Sequence, residues 1–87
     1  MIHKLKTIQP ILNDMLSGKK TFDVRKDDRN FQVGDRLDLF EGTDEITIDT
    51  DISQRKHGHF WIKYILRGGQ FGIQEGYCVL GLTDDEF

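Results

Sequence analysis

A chain of 87 residues has room for one hydrophobic core and no second one. With 37% hydrophobic and 31% charged residues it reads as a soluble folded domain and not as a disordered segment. The net charge of −3 argues against a generic nucleic-acid binder, no apolar run approaches membrane-spanning length, and the lone Cys78 excludes an internal disulfide.

Taken in chain order, Ile2 to Ile8 alternates, with Ile2, Lys4 and Lys6 on one face and His3, Leu5 and Thr7 on the other, which predicts a first strand. Pro10 suits the first turn of a helix, and Ile11, Leu12, Met15 and Leu16 form an apolar stripe ending at Gly18, a left-handed stop. A short amphipathic helix is therefore expected from about Pro10 to Ser17. Thr21 to Arg25 reads as a strand whose core face is Phe22 and Val24, with Thr21, Asp23 and Arg25 opposite. Asp27 to Asn30 is a turn, and Val33-Gly34-Asp35 leads into a strand over Arg36 to Phe40. Ile46, Ile48, Thr50 and Ile52 share a face of a further strand, and Ser53 to Gly58 is its hairpin connection. His59 to Leu66 is a long strand with Phe60, Ile62, Tyr64 and Leu66 on one face and Trp61 and Ile65 on the other. Gly68 and Gly69 break it, and Tyr77 to Leu82 is the last strand, before an acidic tail. Six short strands and one early helix predict a mainly β (α+β) fold, a small closed or nearly closed barrel with the helix on one opening.

Several motifs dissolve on inspection. Asp49-Thr50-Asp51-Ile52-Ser53 imitates the opening of a calcium loop, but the required Gly and Glu are Gln54 and Phe60. His57 and His59 lack cysteines or carboxylates at ligand spacing, so no metal is expected, and no other cofactor is either. Arg67-Gly68-Gly69 is a turn, not one unit of an RNA-binding tract. Cys78, inside an apolar run, is a small buried hydrophobe. For the aromatic residues Phe60, Trp61, Tyr64, Phe71 and Tyr77, strand periodicity makes core packing the expectation for most, an exposed stacker among Trp61, Phe71 and Tyr77 being the alternative. With no basic-apolar leader at the start, a cytoplasmic location is expected.

The informative feature is charge. Residues 1–36 carry eight Lys/Arg against five Asp/Glu, a net +3, while residues 37–87 carry four against ten, a net −6. The positive potential centres on Ser17 to Leu37, which holds six cations and four carboxylates. Within it, Asp23 and Arg25 share one strand face, and a carboxylate beside a guanidinium fixes the fork while leaving donors for a second acceptor. Lys20 adds a mobile charge after the helix, and Gly18 permits close backbone approach. An exposed strand laced with weak ion pairs explains the spacing equally well.

The stretch Gly18-Lys19-Lys20-Thr21-Phe22-Asp23-Val24-Arg25 resembles the Gly-x-Lys-x-x-Glu-x-Arg signature of ASCH domains, of the PUA-like superfamily, with Asp23 in place of Glu. Together with "HKLK" near the start and "YILRGGQFGIQEGYCVLGL" near the end, it is similar to a small prokaryotic and phage branch of that superfamily that has no assigned function. The resemblance implies a PUA-like pseudo-barrel of five or six strands with the early helix beside a cleft, and a cleft ligand that is RNA or a nucleotide-like anion. By position it assigns Gly18, Lys20, Asp23 and Arg25 to the cleft, and the branch pattern adds His3, Lys6, Asp28 and Arg29. Arg25 would meet a phosphate or base edge, with Asp23 orienting it. Some ASCH proteins are amidohydrolases acting on an acylated cytidine. Lys20 matches their lysine, but their nucleophile position falls on Asp23, and Thr21 is displaced by about 6–7 Å. That activity and a protein-interaction module are the alternatives.

Overall fold

The computed structural model describes residues 1–42 and 57–86. The strand expected over Ile46 to Ile52, the calcium-loop imitation and the Ser53–Lys56 part of the hairpin lie outside the described residues. Five strands and one helix follow in the order β1 (Ile2–Thr7), α1 (Ile11–Leu16), β2 (Phe22–Lys26), β3 (Arg36–Glu41), β4 (His57–Arg67) and β5 (Tyr77–Thr83). They form one curled half-barrel sheet in the order β1-β3-β4-β5-β2, as the mainly β expectation required. Only β1 and β3 are parallel; the other three pairings are antiparallel.

The early elements fold as their patterns dictate. β1 buries His3, Leu5 and Thr7 and turns Ile2 and Lys4 outward. Pro10 occupies the N-cap and not the first turn, and the side-chain oxygen of Gln9 accepts from the Asn13 N–H (3.0 Å), serving a donor that no helical carbonyl reaches. Leu12 and Met15 then point into the core, and Gly18, at φ +83°, ends the helix in a conformation that costs a side-chain-bearing residue more.

The core gathers Leu5 from β1, Leu37 and Leu39 from β3, Phe60 and Ile62 from β4, and Cys78, Leu80 and Leu82 from β5. α1 covers one end of the concave face with Leu12 and Met15. The loop between β2 and β3 covers the other by burying Phe31, whose residual exposure is 1%. Arg67 secures that loop: its Nη1 donates to both oxygens of Asp27 (2.7 and 2.9 Å) and its Nη2 to the Phe31 carbonyl (2.8 Å). Burial pushes the Cys78 thiol pKa up, with the Asp27 charge adding to it, so the residue packs as the small hydrophobe expected.

Two strand faces are the reverse of the alternation reading. In β2 it is Asp23 that is buried, while Phe22 and Val24 are 45% and 51% exposed. The register explains this: Asp23 and Arg25 pair with Leu80 and Cys78, both inward-facing, whereas Phe22 and Val24 pair with Gly81 and Val79 on the outer face. In β4 a bulge between Ile62 and Tyr64 shifts the phase. Phe60 and Ile62 face the core, but beyond the bulge Ile65 takes that side and Tyr64 is 65% exposed. His57 and Gly58, expected in a hairpin connection, open β4 instead.

Candidate functional site

Among the described residues β1 and β2 are the two edges of the sheet, and the half-barrel is open between them. Arg25 crosses that seam. Its Nε donates to Asp23 Oδ2 (2.6 Å), its Nη1 to the Lys6 carbonyl (3.1 Å) and its Nη2 to Thr7 Oγ1 (2.9 Å). The second oxygen of Asp23 lies 3.6 Å from Lys20 Nζ. One carboxylate is thus bracketed by two cations, which is how a buried charge is kept at acceptable cost. The signature residues form a chain running from Lys20 through Asp23 and Arg25 to the opposite edge strand.

The Lys20 end of this chain meets a cavity of about 470 Å³. It sits at the rim of the half-barrel, where the end of α1 (Met15, Ser17, Gly18) approaches the start of β2 (Lys20, Thr21). The opposite wall comes from β4 (His59, Phe60, Lys63) and from the end of β5 (Leu82, Thr83, Asp84). Phe60, Met15 and Leu82 give an apolar floor, Ser17, Thr21 and Thr83 carry hydroxyls, and the lysines on two walls outnumber the one carboxylate. Gly18 stands in the wall with open space where a side chain would begin. His59 is held by Asp38, whose Oδ1 accepts from its Nδ1 (2.7 Å). Burial disfavours the Asp38 charge, but hydrogen bonds from Arg36 and His59 and their charges outweigh it, holding the carboxyl below its ordinary value.

The predicted site residues divide into three places. Gly18 and Lys20 line the cavity. Asp23 and Arg25 are joined to Lys20 but belong to the seam, and three of Arg25's five N–H donors are engaged there. Lys6 reaches the same seam through its backbone carbonyl. His3 lies elsewhere: it is buried against Phe31 (ring centroids 4.8 Å apart) and its Nε2 donates to Asp35 Oδ2 (2.8 Å). Asp35 also accepts from the N-terminal ammonium (3.2 Å) and the Gln32 N–H (3.1 Å), so that although burial opposes its charge its pKa is lowered. Arg29 lines, together with His3, a wider, more open hollow of about 690 Å³ beside Lys4 and Arg36, and Asp28 is exposed on the same loop. That loop begins a strand's length, about 17 Å, from Thr21. In this arrangement His3 is tied to Asp35, Arg25 bonds across the seam, and Lys20 is the charged residue of the signature that lines the cavity.

Lys63, His59 and Thr83 were not expected to share a site with Lys20. Nothing local marks them, since they come from strands that only the sheet order brings beside α1. For the hydrolytic alternative, Lys20 and Thr21 stand in the cavity wall, whereas Asp23, at the nucleophile position, does not. Among the described residues no three His, Cys, Asp or Glu side chains converge as a metal site, and no helix is long and apolar enough to cross a membrane.

Fold and site together define a small half-barrel β domain with a lysine-flanked cavity at its rim. The chain belongs to the family described as domain of unknown function (DUF3850), whose model matches residues 2–82. The half-barrel is compatible with the PUA-like architecture that the sequence resembles, while the matching family is this one and not ASCH itself. No curated protein matches the chain.

Proposed function

We propose that this domain binds a nucleotide-like anion, free or carried in RNA, in the cavity between the end of α1 and the rim of the sheet. The observation that carries the reading is the cavity itself: about 470 Å³ of space with Lys20 and Lys63 on separate walls above an apolar floor. Small-ligand sites have this size and this combination of apolar lining with a few convergent polar groups. The ASCH resemblance supports it, because Gly18 and Lys20 of the signature stand in the wall. Lys20 and Lys63 supply the positive charge, Gly18 leaves room beside the backbone, and Asp23 restrains Lys20 while Arg25 restrains Asp23.

Isothermal titration with a short single-stranded RNA and with nucleoside monophosphates tests this. Lys20→Ala and Lys63→Ala would each weaken binding about tenfold, roughly 1.4 kcal/mol. Two phosphate-neutralising lysines give a log–log salt slope of about −1.4, so RNA affinity would fall about sevenfold between 50 and 200 mM salt. Saturable binding that neither substitution changes would place the ligand elsewhere.

A further inference from the structure

The cavity accounts for an anion but leaves the adjoining outer face of the sheet without a role. On that face Tyr64 of β4, Gly81 of β5 and Phe22 of β2 stand in one cross-strand row, Gly81 being the register partner of both aromatic residues. Tyr64 and Phe22 are 65% and 45% exposed as whole residues. The next row, Leu66, Val79 and Val24, carries an apolar side chain on all three strands and closes one end of the gap. Only at Gly81 is the middle position bare, and a Cβ there would come within 3.3 Å of Tyr64 Cβ. A glycine inside a strand weakens it and often marks a bulge, as opposite Gly81 here, or a place where a ligand or another backbone approaches closely.

The spacing suits a planar ring. Adjacent strands lie about 4.8 Å apart, so a ring seated over Gly81 has an aromatic residue one strand spacing away on each side, within the range of about 4.5–7 Å at which rings stack. Each of these aromatic residues also has a cavity lysine beside it. Lys20 Nζ lies 5.0 Å from the Phe22 ring centroid. The bulge between Ile62 and Tyr64 sets Lys63 next to Tyr64, two residues against the single Gly81. Both lysines line the cavity. Stacking surface and positive charge are therefore contiguous, which is complementary to a flat ring joined to an anionic group.

We propose that the Tyr64–Gly81–Phe22 row is a base-stacking slot, so that the ligand is a nucleotide whose base lies over Gly81 and whose phosphate reaches Lys20 and Lys63. This rests on the cavity reading and adds the half that recognises the base.

Calorimetry with adenosine 5′-monophosphate and with ribose 5-phosphate, which has the phosphate but no base, separates the two claims. In the wild-type protein the nucleotide would bind at least about tenfold more tightly. Tyr64→Ala, at an exposed position, would remove about tenfold from nucleotide binding and leave ribose 5-phosphate unchanged, and Tyr64→Phe would restore it. Gly81→Ala, placing a methyl on the floor of the slot, would weaken the nucleotide alone. Equal affinities for the two compounds, both sensitive to Lys20→Ala, would overturn the slot while keeping the cavity. Binding of neither would overturn both. Sedimentation in which Tyr64→Ala dissolves a dimer, with the ratio of the two affinities unchanged, would assign the face to a second copy of the chain and overturn the slot.

Discussion

At the scale of single residues, the most informative side chain is Arg25, whose place beside Asp23 was legible in the sequence and whose partners across the seam were not. Two-residue spacing correctly places Asp23 and Arg25 on one face, but strand periodicity assigns the apolar Phe22 and Val24 to the core, and the structure does the opposite. The alternation rule assumes that charge goes to water. Here the pair is inward because Thr7 and the Lys6 carbonyl, 18 and 19 residues earlier, offer acceptors across the seam, and no local pattern announces such partners. Removing the guanidinium leaves Asp23 buried with Lys20 alone at 3.6 Å. Arg25→Ala would therefore lower stability by about 2–4 kcal/mol in chemical denaturation. Arg25→Lys would recover only part of this, because an ammonium cannot span the same fork. A loss of nucleotide binding with unchanged stability would instead restore Arg25 to direct ligand contact.

At the scale of elements, helix and strands were largely readable, because caps, apolar stripes and glycine stops are local signals. Pro10, the Leu12–Met15 stripe and Gly18 bounded α1 to within a residue or two. The face of β4 was not readable beyond Ile62, since one bulge inverts every later assignment and exposes Tyr64. The loop before β3 also gave little warning that Phe31 closes an end of the barrel. Its burial is nearly complete, and Phe31→Ala would cost about 3–5 kcal/mol, seen as a lower denaturation midpoint with little change in slope. A change below about 1 kcal/mol would mean that the loop is a cover and not a plug.

At the scale of the whole molecule, the sequence showed positive charge concentrated before residue 37, but not that the cavity draws on both halves of the chain: Lys20 from one, Lys63 from the other. Two other cations of the first half serve as fasteners, Arg25 for Asp23 and Arg36 for Asp38, while Asp35 holds the N-terminus and His3. The Asp35 and Asp38 carboxyls have pKa values below their ordinary 3.8, because hydrogen bonds and neighbouring charges outweigh burial. A depressed carboxyl contributes stability that is fully present above its unfolded pKa and is lost as pH falls through the folded one. Unfolding free energy would hence be flat above about pH 5 and decline below pH 4, with Asp35→Asn and Asp38→Asn each flattening the decline. An unchanged acid limb in both variants would mean that other carboxylates set the acid sensitivity.

The most direct measurement is an amide chemical-shift titration of the ¹⁵N-labelled protein with adenosine 5′-monophosphate. The expected result is saturable shifts concentrated at Gly18, Lys20, Thr21, Lys63 and Thr83, extending to Gly81 and Tyr64, with the midpoint moved to about tenfold higher nucleotide concentration by Lys20→Ala. Shifts confined to Lys4, Arg29 and Arg36 around the wider hollow, or no saturable shifts at low salt, would contradict the assignment of the rim cavity as a nucleotide site.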